Sequence, residues 1–378
     1  MPLSKKKKIV FLTGTRADFG KLKSLLAILQ DSSAFEPHIF VTGMHLQPLY
    51  GYTLIEVQNT GFKNIHTYAN HTDEATMDLT LAKTIEGFSA YVNGLKPDLI
   101  VVHGDRVEAL AGAIVGSLNN ILVAHIEGGE LSGTIDELIR HSVSKLSHIH
   151  FVANAAAKKR LLQMGELEAA IFTIGSPDVD VMFSNRLPSI ATVKEYYTIP
   201  FETYAVAMFH PVTTEIDDIK SYAAQFVTAL LDSGKQYVVI YPNNDLGSQY
   251  ILEAYSVLDG HPNFKVFPSL RFEYFLTLLK HASFIIGNSS AGVREAPYYQ
   301  IPTINIGTRQ QNRVLHSTLV NTDYTTAAIV TAIAHLEPVT ATTEAHFGTG
   351  KSAQLFLKSL EDVAFWEINH QKQFKDIT

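Results

Sequence analysis

Short β-branched runs alternate along this chain with longer amphipathic stretches, and the pattern starts twice. In the first half, residues 9–13, 36–42, 98–102, 121–125, 150–152 and 171–174 read as strands; 21–30, 74–95, 108–118, 136–146 and 155–164 read as helices. Alternation of this kind requires a parallel sheet with helices on both faces. Its strands are buried on both sides, so they read as unbroken apolar runs, as Leu-Ile-Val-Val at 99–102 does. Strands then resume at 204–208, 237–241, 265–267, 283–286 and 303–306, with helices near 215–232, 248–258, 272–280 and 290–299. The segment 184–201 between the two sets reads as irregular and carries Pro188 and Pro200. After Thr308 the strand signal fades, and helices near 324–336 and 352–370 finish the chain. The expected fold class is α/β, with two Rossmann-like doubly wound domains over 1–183 and 184–351. A terminal helix in 352–378 is expected to pack back on the first domain. Ligands of such sheets bind at the carboxyl ends of the strands, which points to a cleft between the two domains.

Composition narrows the chemistry. The 378 residues contain no cysteine, which removes disulfides, thiolate catalysis and cysteine-ligated zinc. A formal charge of −7 argues against nucleic acid as a partner. The apolar runs are strand-sized and none approaches the ~20 residues of a membrane span. The apolar stretch after Lys5, Lys6, Lys7 and Lys8 ends within a few residues at a Thr-Gly-Thr-Arg turn, too soon for a signal peptide. A cytoplasmic enzyme with no membrane partner is expected.

Several turns at strand ends could carry chemistry. The first runs Thr13-Gly14-Thr15-Arg16-Ala17-Asp18-Phe19-Gly20-Lys21. A glycine turn opening a helix offers amide N–H groups to an anion. Its glycine spacing fits neither the ATP-binding loop nor the dinucleotide fingerprint. Its structural alternative is a tight turn with Asp18 as helix cap. A second such turn, Gly287-Asn288-Ser289-Ser290-Ala291-Gly292, leads toward Arg294 and Glu295 and suits a diphosphate, or else serves as a serine cap. Its second glycine is one residue late for a nucleophile elbow.

The densest stretches are His103-Gly-Asp105-Arg106, His125-Ile-Glu127-Gly-Gly-Glu130, and Asp136 through Arg140 and His141. Asp105, Glu127 and Asp136 each follow a strand or open a helix, and they supply what general acid–base work needs. The structural alternatives pair Asp105 with Glu108 at a helix cap, and Asp136 with Arg140 and Glu137 with His141 at i,i+4. Two histidines, His148 and His150, share one strand face and could be packed; no metal-binding helix motif accompanies them, and no metal is expected. In the second half His210 stands where a strand ends. Asp245 fits a capped turn, and Arg309 and Arg313 could meet phosphate or solvent.

Together these stretches resemble the hydrolysing UDP-N-acetylglucosamine 2-epimerases of sialic acid biosynthesis. The match comprises Gly14-Thr-Arg-Ala-Asp18, Val41-Thr-Gly-Met-His45, His103-Gly-Asp-Arg106, His125-Ile-Glu-Gly-Gly-Glu130, Gly133-Thr-Ile-Asp136, Ile139-Arg-His141, His210-Pro-Val-Thr-Thr214, Gly287-Asn-Ser-Ser290, Gly292-Val-Arg-Glu295 and Ile306-Gly-Thr-Arg-Gln310. Singly these are common; in this order over residues 9–313 they are specific. The non-hydrolysing sister enzymes typically carry Gly-Thr-Arg-Pro-Glu at the first turn and His-Arg-Arg-Glu-Asn where this chain has His-Pro-Val-Thr-Thr. The resemblance implies a GT-B arrangement, with the sugar and catalytic carboxylates on the first domain and UDP on the second. It implies Asp105, Glu127 and Asp136 as catalytic carboxylates with His210 close by. Arg16, Gly287, Ser289, Ser290 and Arg309 are then diphosphate contacts, Glu295 a ribose contact, and Asp18, His45, Arg106 and His141 sugar-pocket residues. Uracil is expected near 266–272. The implied reaction turns UDP-N-acetylglucosamine and water into N-acetylmannosamine and UDP through 2-acetamidoglucal, without a cofactor, in a homodimer or homotetramer. Alternatives are a hydrolysing epimerase of a UDP-diacetamido-trideoxy sugar, a UDP-sugar glycosyltransferase, and a non-catalytic UDP-sugar sensor.

Overall fold

The computed structural model describes residues 5–71, 76–313, 319–339, 346–373 and 375–376. The chain divides into two compact units. The first is Met1–Glu130, Asp136–Asn185 and His346–Thr378; the second is Leu131–Ile135 and Arg186–Ala345.

The first unit holds seven parallel strands: β1 Lys7–Thr13, β2 Phe35–Val41, β3 Ile65–Thr67, β4 Leu99–His103, β5 Leu122–Ile126, β6 Ile149–Val152 and β7 Ile171–Thr173. Their order is β3-β2-β1-β4-β5-β6-β7. The second unit holds six parallel strands: β8 Ala205–Met208, β9 Tyr237–Ile240, β10 Phe264–Phe267, β11 Ile285–Gly287, β12 Thr303–Ile306 and β13 Leu319–Thr322, in the order β10-β9-β8-β11-β12-β13. Each sheet therefore winds outward from a central strand and then reverses, between β1 and β4 and between β8 and β11. The reversal opens a gap beyond the carboxyl ends of those strands. The Rossmann-like, doubly wound expectation is met in both units.

Helix Arg16–Gln30 lays Phe19, Leu22, Leu25, Leu26 and Leu29 on the first sheet, against Phe11, Val41, Val101 and Phe151. The C-terminal helix Ser352–Glu361 belongs to the same core. Phe356 sits edge-on to Phe11 and Phe151, with ring centres 6.3 and 4.7 Å away. Its first turn is capped from outside: the amides of Ser352 and Ala353 donate to the two carboxylate oxygens of Asp180 at 2.8 and 2.7 Å. A carboxylate there meets both the orphan donors and the positive end of the helix dipole.

Several expectations are corrected. β3 and β13 have weak sequence signals because they are short edge strands with half-polar, partly exposed residues. Segment 184–201 contains helix Ile190–Tyr196, capped by Ser189. The helix expected at 352–370 breaks at Asp362, which caps a new one, Val363–Trp366. The helix expected at 290–299 is an α turn, Ala291–Arg294, then a 3-10 turn, Ala296–Tyr299, because Pro297 has no amide to donate. The residues at 74–75 of the expected helix 74–95 lie outside the described residues; the helix is described as Met77–Leu95.

The chain's one tryptophan, Trp366, stacks near Phe35 in this core and donates from Nε1 to Leu360 O. It reports on the first unit. Phe356→Ala should destabilise that unit by about 3–5 kcal/mol. A urea titration followed by tryptophan fluorescence should show the midpoint fall; an unmoved midpoint would remove helix Ser352–Glu361 from the first unit's core.

Candidate active site

At the end of β1, Thr15 caps helix Arg16–Gln30 and Asp18 completes a capping box. The Asp18 carboxylate accepts from the amides of Gly14 (3.0 Å) and Thr15 (3.1 Å) and from the Thr13 hydroxyl. Burial raises its pKa, against the lowering effect of these donors. The capping alternative is therefore realised, and Asp18 builds the turn. His45 lies after β2, fully buried, between the hydroxyls of Thr13 (3.1 Å) and Thr53 (2.7 Å). Burial, and then the charge of Arg16, push its pKa down to about 3, so it is a neutral ring that fixes Thr13. Arg16 pairs with Glu56. Arg106 begins helix Val107–Leu118 and lies 3.3 Å from Glu108. Glu108 is buried where Gly14 and Gly43 leave room: a Cβ at Gly14 would come within 2.8 Å of its carboxyl carbon.

The structural alternative that makes Asp105 a helix cap beside Glu108 is not the one the fold adopts. Residue 106 is the cap, with no side-chain bond, and Asp105 pairs with Arg140 from helix Ile135–Leu146. Arg140 is buried and also donates from Nη1 to the backbone oxygen of Glu127 at 2.7 Å. One guanidinium thus joins the turn after β4 to the turn after β5. Asp136 stands in the first turn of the same helix, and His141 lies 3.4 Å from Glu137, the expected i,i+4 partner.

Glu127 is the centre of this end of the sheet. It is 2 % exposed and has φ +64°, a left-handed conformation that costs a β-carbon residue energy and clusters at functional sites. Its Oε1 accepts from the Ser176 hydroxyl; Oε2 lies 3.2 Å from His103 Nε2 and 3.9 Å from Lys21 Nζ. Lys21 is itself buried and 3.3 Å from the buried Asp178. The sequence motifs give no site role to Lys21, His103, Ser176 or Asp178, which the fold gathers around Glu127. The signals were there: a lysine within the apolar face of Phe-Gly-Lys-Leu, and a Gly-Ser-Pro-Asp turn directly after β7.

In the second unit the hub is Asn288, fully buried after β11. Its side chain accepts from the His210 amide (2.7 Å) and donates to the His210 carbonyl (2.8 Å), locking the end of β8. His210 Nδ1 accepts from the Asn243 amide at 3.0 Å, which leaves the ring proton on Nε2. The Asn288 carbonyl accepts from Arg309 Nη1 (3.3 Å) and Gln310 Nε2 (2.7 Å). Gly287 has φ +129°, and a Cβ there would sit 1.9 Å from Met208 O. Ser289 Oγ accepts from the Ala291 amide at 3.3 Å, while Ser290 begins the α turn without a side-chain cap bond. Glu295 is buried at the far end of that turn. His210, Gly287, Ser289, Ser290 and Arg309 are thus brought to adjoining strand ends.

Comparison with known proteins now decides the family. The model described as "UDP-N-acetylglucosamine 2-epimerase" matches residues 27–361. The chain belongs to the UDP-N-acetylglucosamine 2-epimerase family. It is 48% identical over 375 residues to the UDP-N-acetylglucosamine 2-epimerase of Neisseria meningitidis serogroup B, covering 98% of this chain and 99% of that one. It is 35% identical to the UDP-N,N'-diacetylbacillosamine 2-epimerase (hydrolyzing) of Legionella pneumophila, over 86% and 88% of the two chains. A crystal structure of a UDP-GlcNAc 2-epimerase from Neisseria meningitidis bound to UDP-GlcNAc shares the fold, with TM-score 0.77 at 19% identity over 93% of this chain and 99% of that one. This member of the family is an enzyme, as the motif resemblance implied. Among the described residues no helix is long and apolar enough to cross a membrane.

Two neighbouring substitutions test this description of the second unit. Gly287→Ala should cost on the order of 3 kcal/mol or more, since its methyl group meets backbone. Ser290→Ala should stay within about 0.5 kcal/mol, since no cap bond is lost. Thermal unfolding of both variants checks this; equal shifts would contradict it.

Proposed function

We propose that this enzyme is a hydrolysing 2-epimerase converting UDP-N-acetylglucosamine and water to N-acetylmannosamine and UDP, the opening step of sialic acid synthesis. The observation that carries the reading is the buried cluster around Glu127, which sets a carboxylate among a lysine, a histidine and a hydroxyl at the reversal end of a parallel sheet. The family relatives supply the substrate class.

The chemistry explains the residues. The sugar's C2 proton has no adjacent carbonyl, so it is not removed by simple deprotonation. Breaking the C1–O bond to UDP while a base takes the C2 proton gives 2-acetamidoglucal and UDP. Water oxygen then adds at C1, and an acid delivers a proton to C2 from the opposite face, giving free N-acetylmannosamine. Carboxylates in different environments can divide the acid and base roles. In this reading Asp105, Glu127 and Asp136 are that set, and Glu127 accepts from Ser176 on one oxygen while His103 and Lys21 lie 3.2 and 3.9 Å from the other. In the second unit Ser289, Ser290, Arg309 and the backbone at Gly287 take the diphosphate, and His210 offers Nε2–H to it; in the first unit Arg16 is the phosphate-binding cation. Glu295 takes the ribose. Arg106 and His141 meet the sugar, while Asp18 and His45 order the turn beneath it.

A second substrate, a UDP-diacetamido-trideoxy sugar, is favoured by the Legionella relative's name. Incubation with each UDP-sugar alone, followed by proton and phosphorus NMR, separates them. Free N-acetylmannosamine with equimolar UDP supports the proposal. Turnover of only the diacetamido sugar, or no product without an acceptor, or stoichiometric binding without UDP release, would overturn it.

The roles make a second prediction. Asp105→Asn, Glu127→Gln and Asp136→Asn should each lower kcat by about 10²-fold or more with little change in UDP affinity. Arg309→Ala should weaken UDP binding in calorimetry. The reverse pattern would exchange the two sets of residues.

A further inference from the structure

At the other end of the helix that carries Asp136 and Arg140, a buried carboxylate holds three cationic or ring N–H groups. Glu166 is 2 % exposed; its Oε1 lies 2.9 Å from Lys145 Nζ, and its Oε2 lies 2.5 Å from Lys372 Nζ and 3.0 Å from His150 Nε2. Its pKa is held down to about 2 despite burial, because His150 and Lys372 favour the charged form. Lys372 comes from the C-terminal segment. Its ammonium also donates to the carbonyls of Ser147 (2.7 Å) and Ser144 (3.1 Å), so each of its three N–H groups has an acceptor.

Those carbonyls end helix Ile135–Leu146, which carries Asp136 and Arg140. The last carbonyls of a helix lack internal partners, and a cation there opposes the negative end of its dipole. Ser144 makes a second link. The Ser144 hydroxyl lies 3.0 Å from His125 Nδ1, and His125 Nε2 lies 2.8 Å from the carbonyl of Gly104, the residue before Asp105. A carbonyl can only accept, so His125 carries its proton on Nε2 and takes the Ser144 proton on Nδ1. The pKa of His125 is driven well down by burial, in keeping with that neutral ring. The C-terminal segment is itself pinned to the sheet. His148 accepts the Val123 amide on Nδ1 (3.1 Å) and donates from Nε2 to His370 O (2.9 Å); His370 Nδ1 donates to Asn120 O (2.7 Å).

We propose that Lys372 is a positioning residue for the reaction. It fixes the C-terminal end of helix Ile135–Leu146, and thereby the placement of Arg140 and the turn that carries Asp105. It touches none of the candidate reacting groups and acts through Arg140, Ser144 and His125. The kinetic part rests on the proposed epimerase reading.

The test uses the full chain. Lys372→Met keeps the length and loses the ammonium; Lys372→Arg keeps a cation able to reach carbonyls. Assays are run at least about 15 °C below each variant's melting point. Lys372→Met should lower kcat for UDP-N-acetylglucosamine about tenfold with KM within about twofold, and Lys372→Arg should recover to within about threefold of wild type. Hydrogen exchange of Lys372→Met, read by mass spectrometry, should show lost protection in peptides covering 135–147 and 103–107, with 16–30 unchanged. Unchanged kcat, or loss of protection confined to 369–373, overturns the proposal. If wild type itself releases no sugar, the functional reading fails, and the exchange pattern still decides whether Lys372 sets the helix.

Discussion

One buried guanidinium holds the turns after two neighbouring strands of the first unit in register. Arg140 reaches back from its helix to the Asp105 carboxylate and to the backbone oxygen of Glu127. Parallel strands place their ends side by side but do not fix the turns that follow them. A planar fork with several donors can bridge a carboxylate and a carbonyl at once, which an ammonium does less well. The bond also helps explain how Glu127 tolerates φ +64°. Its amide donates to Phe151 O at 2.8 Å and its carbonyl accepts from Arg140, so both backbone groups are committed to the unusual conformation. The side chain is thereby turned toward His103, Ser176 and Lys21. Removing one partner of such a buried contact costs more than the contact is worth, because the other is left in low dielectric.

The second unit solves the same problem with an uncharged group. Asn288 exchanges two hydrogen bonds with the backbone of His210 and accepts from Arg309 and Gln310 through its own carbonyl. An amide suits this place because it donates and accepts without the desolvation cost of a buried charge. Gly287 is needed so that β11 can pass against Met208 O. In each unit, then, a buried polar side chain ties the turns after two neighbouring strands: β4 and β5 in the first, β8 and β11 in the second.

Most of the sheet was legible in the sequence, because strands buried on both faces are apolar throughout and punctuated by glycine turns. The run at 303–306 coincides with β12, and 99–102 lies within β4. Of the four edge strands, β3 and β13 escaped because none of their residues is fully buried, whereas β7 and β10 each begin on a buried apolar residue. Motif turns located Asp105, Glu127 and His210 correctly at strand ends. Local spacing offers Glu108 as an alternative partner for Asp105 but does not reach Arg140, since that ion pair spans 35 positions and only the folded sheet brings them together. Lys21 and Asp178 were passed over for the same reason. A charge on an apolar face signals a buried partner, but the sequence does not say which one. Asp18 went the other way: its capping geometry was readable from Thr15 and Asp18 alone.

Proton transfer at C2 by residues of the first unit, with water completing the product, is the step on which the proposed reaction depends. The most direct measurement is proton NMR of the sugar released by the wild-type enzyme in deuterium oxide. Elimination and re-addition predict free N-acetylmannosamine with deuterium in place of hydrogen at C2. A product that keeps its C2 hydrogen, or a mannose-configured sugar still attached to UDP, would contradict the account.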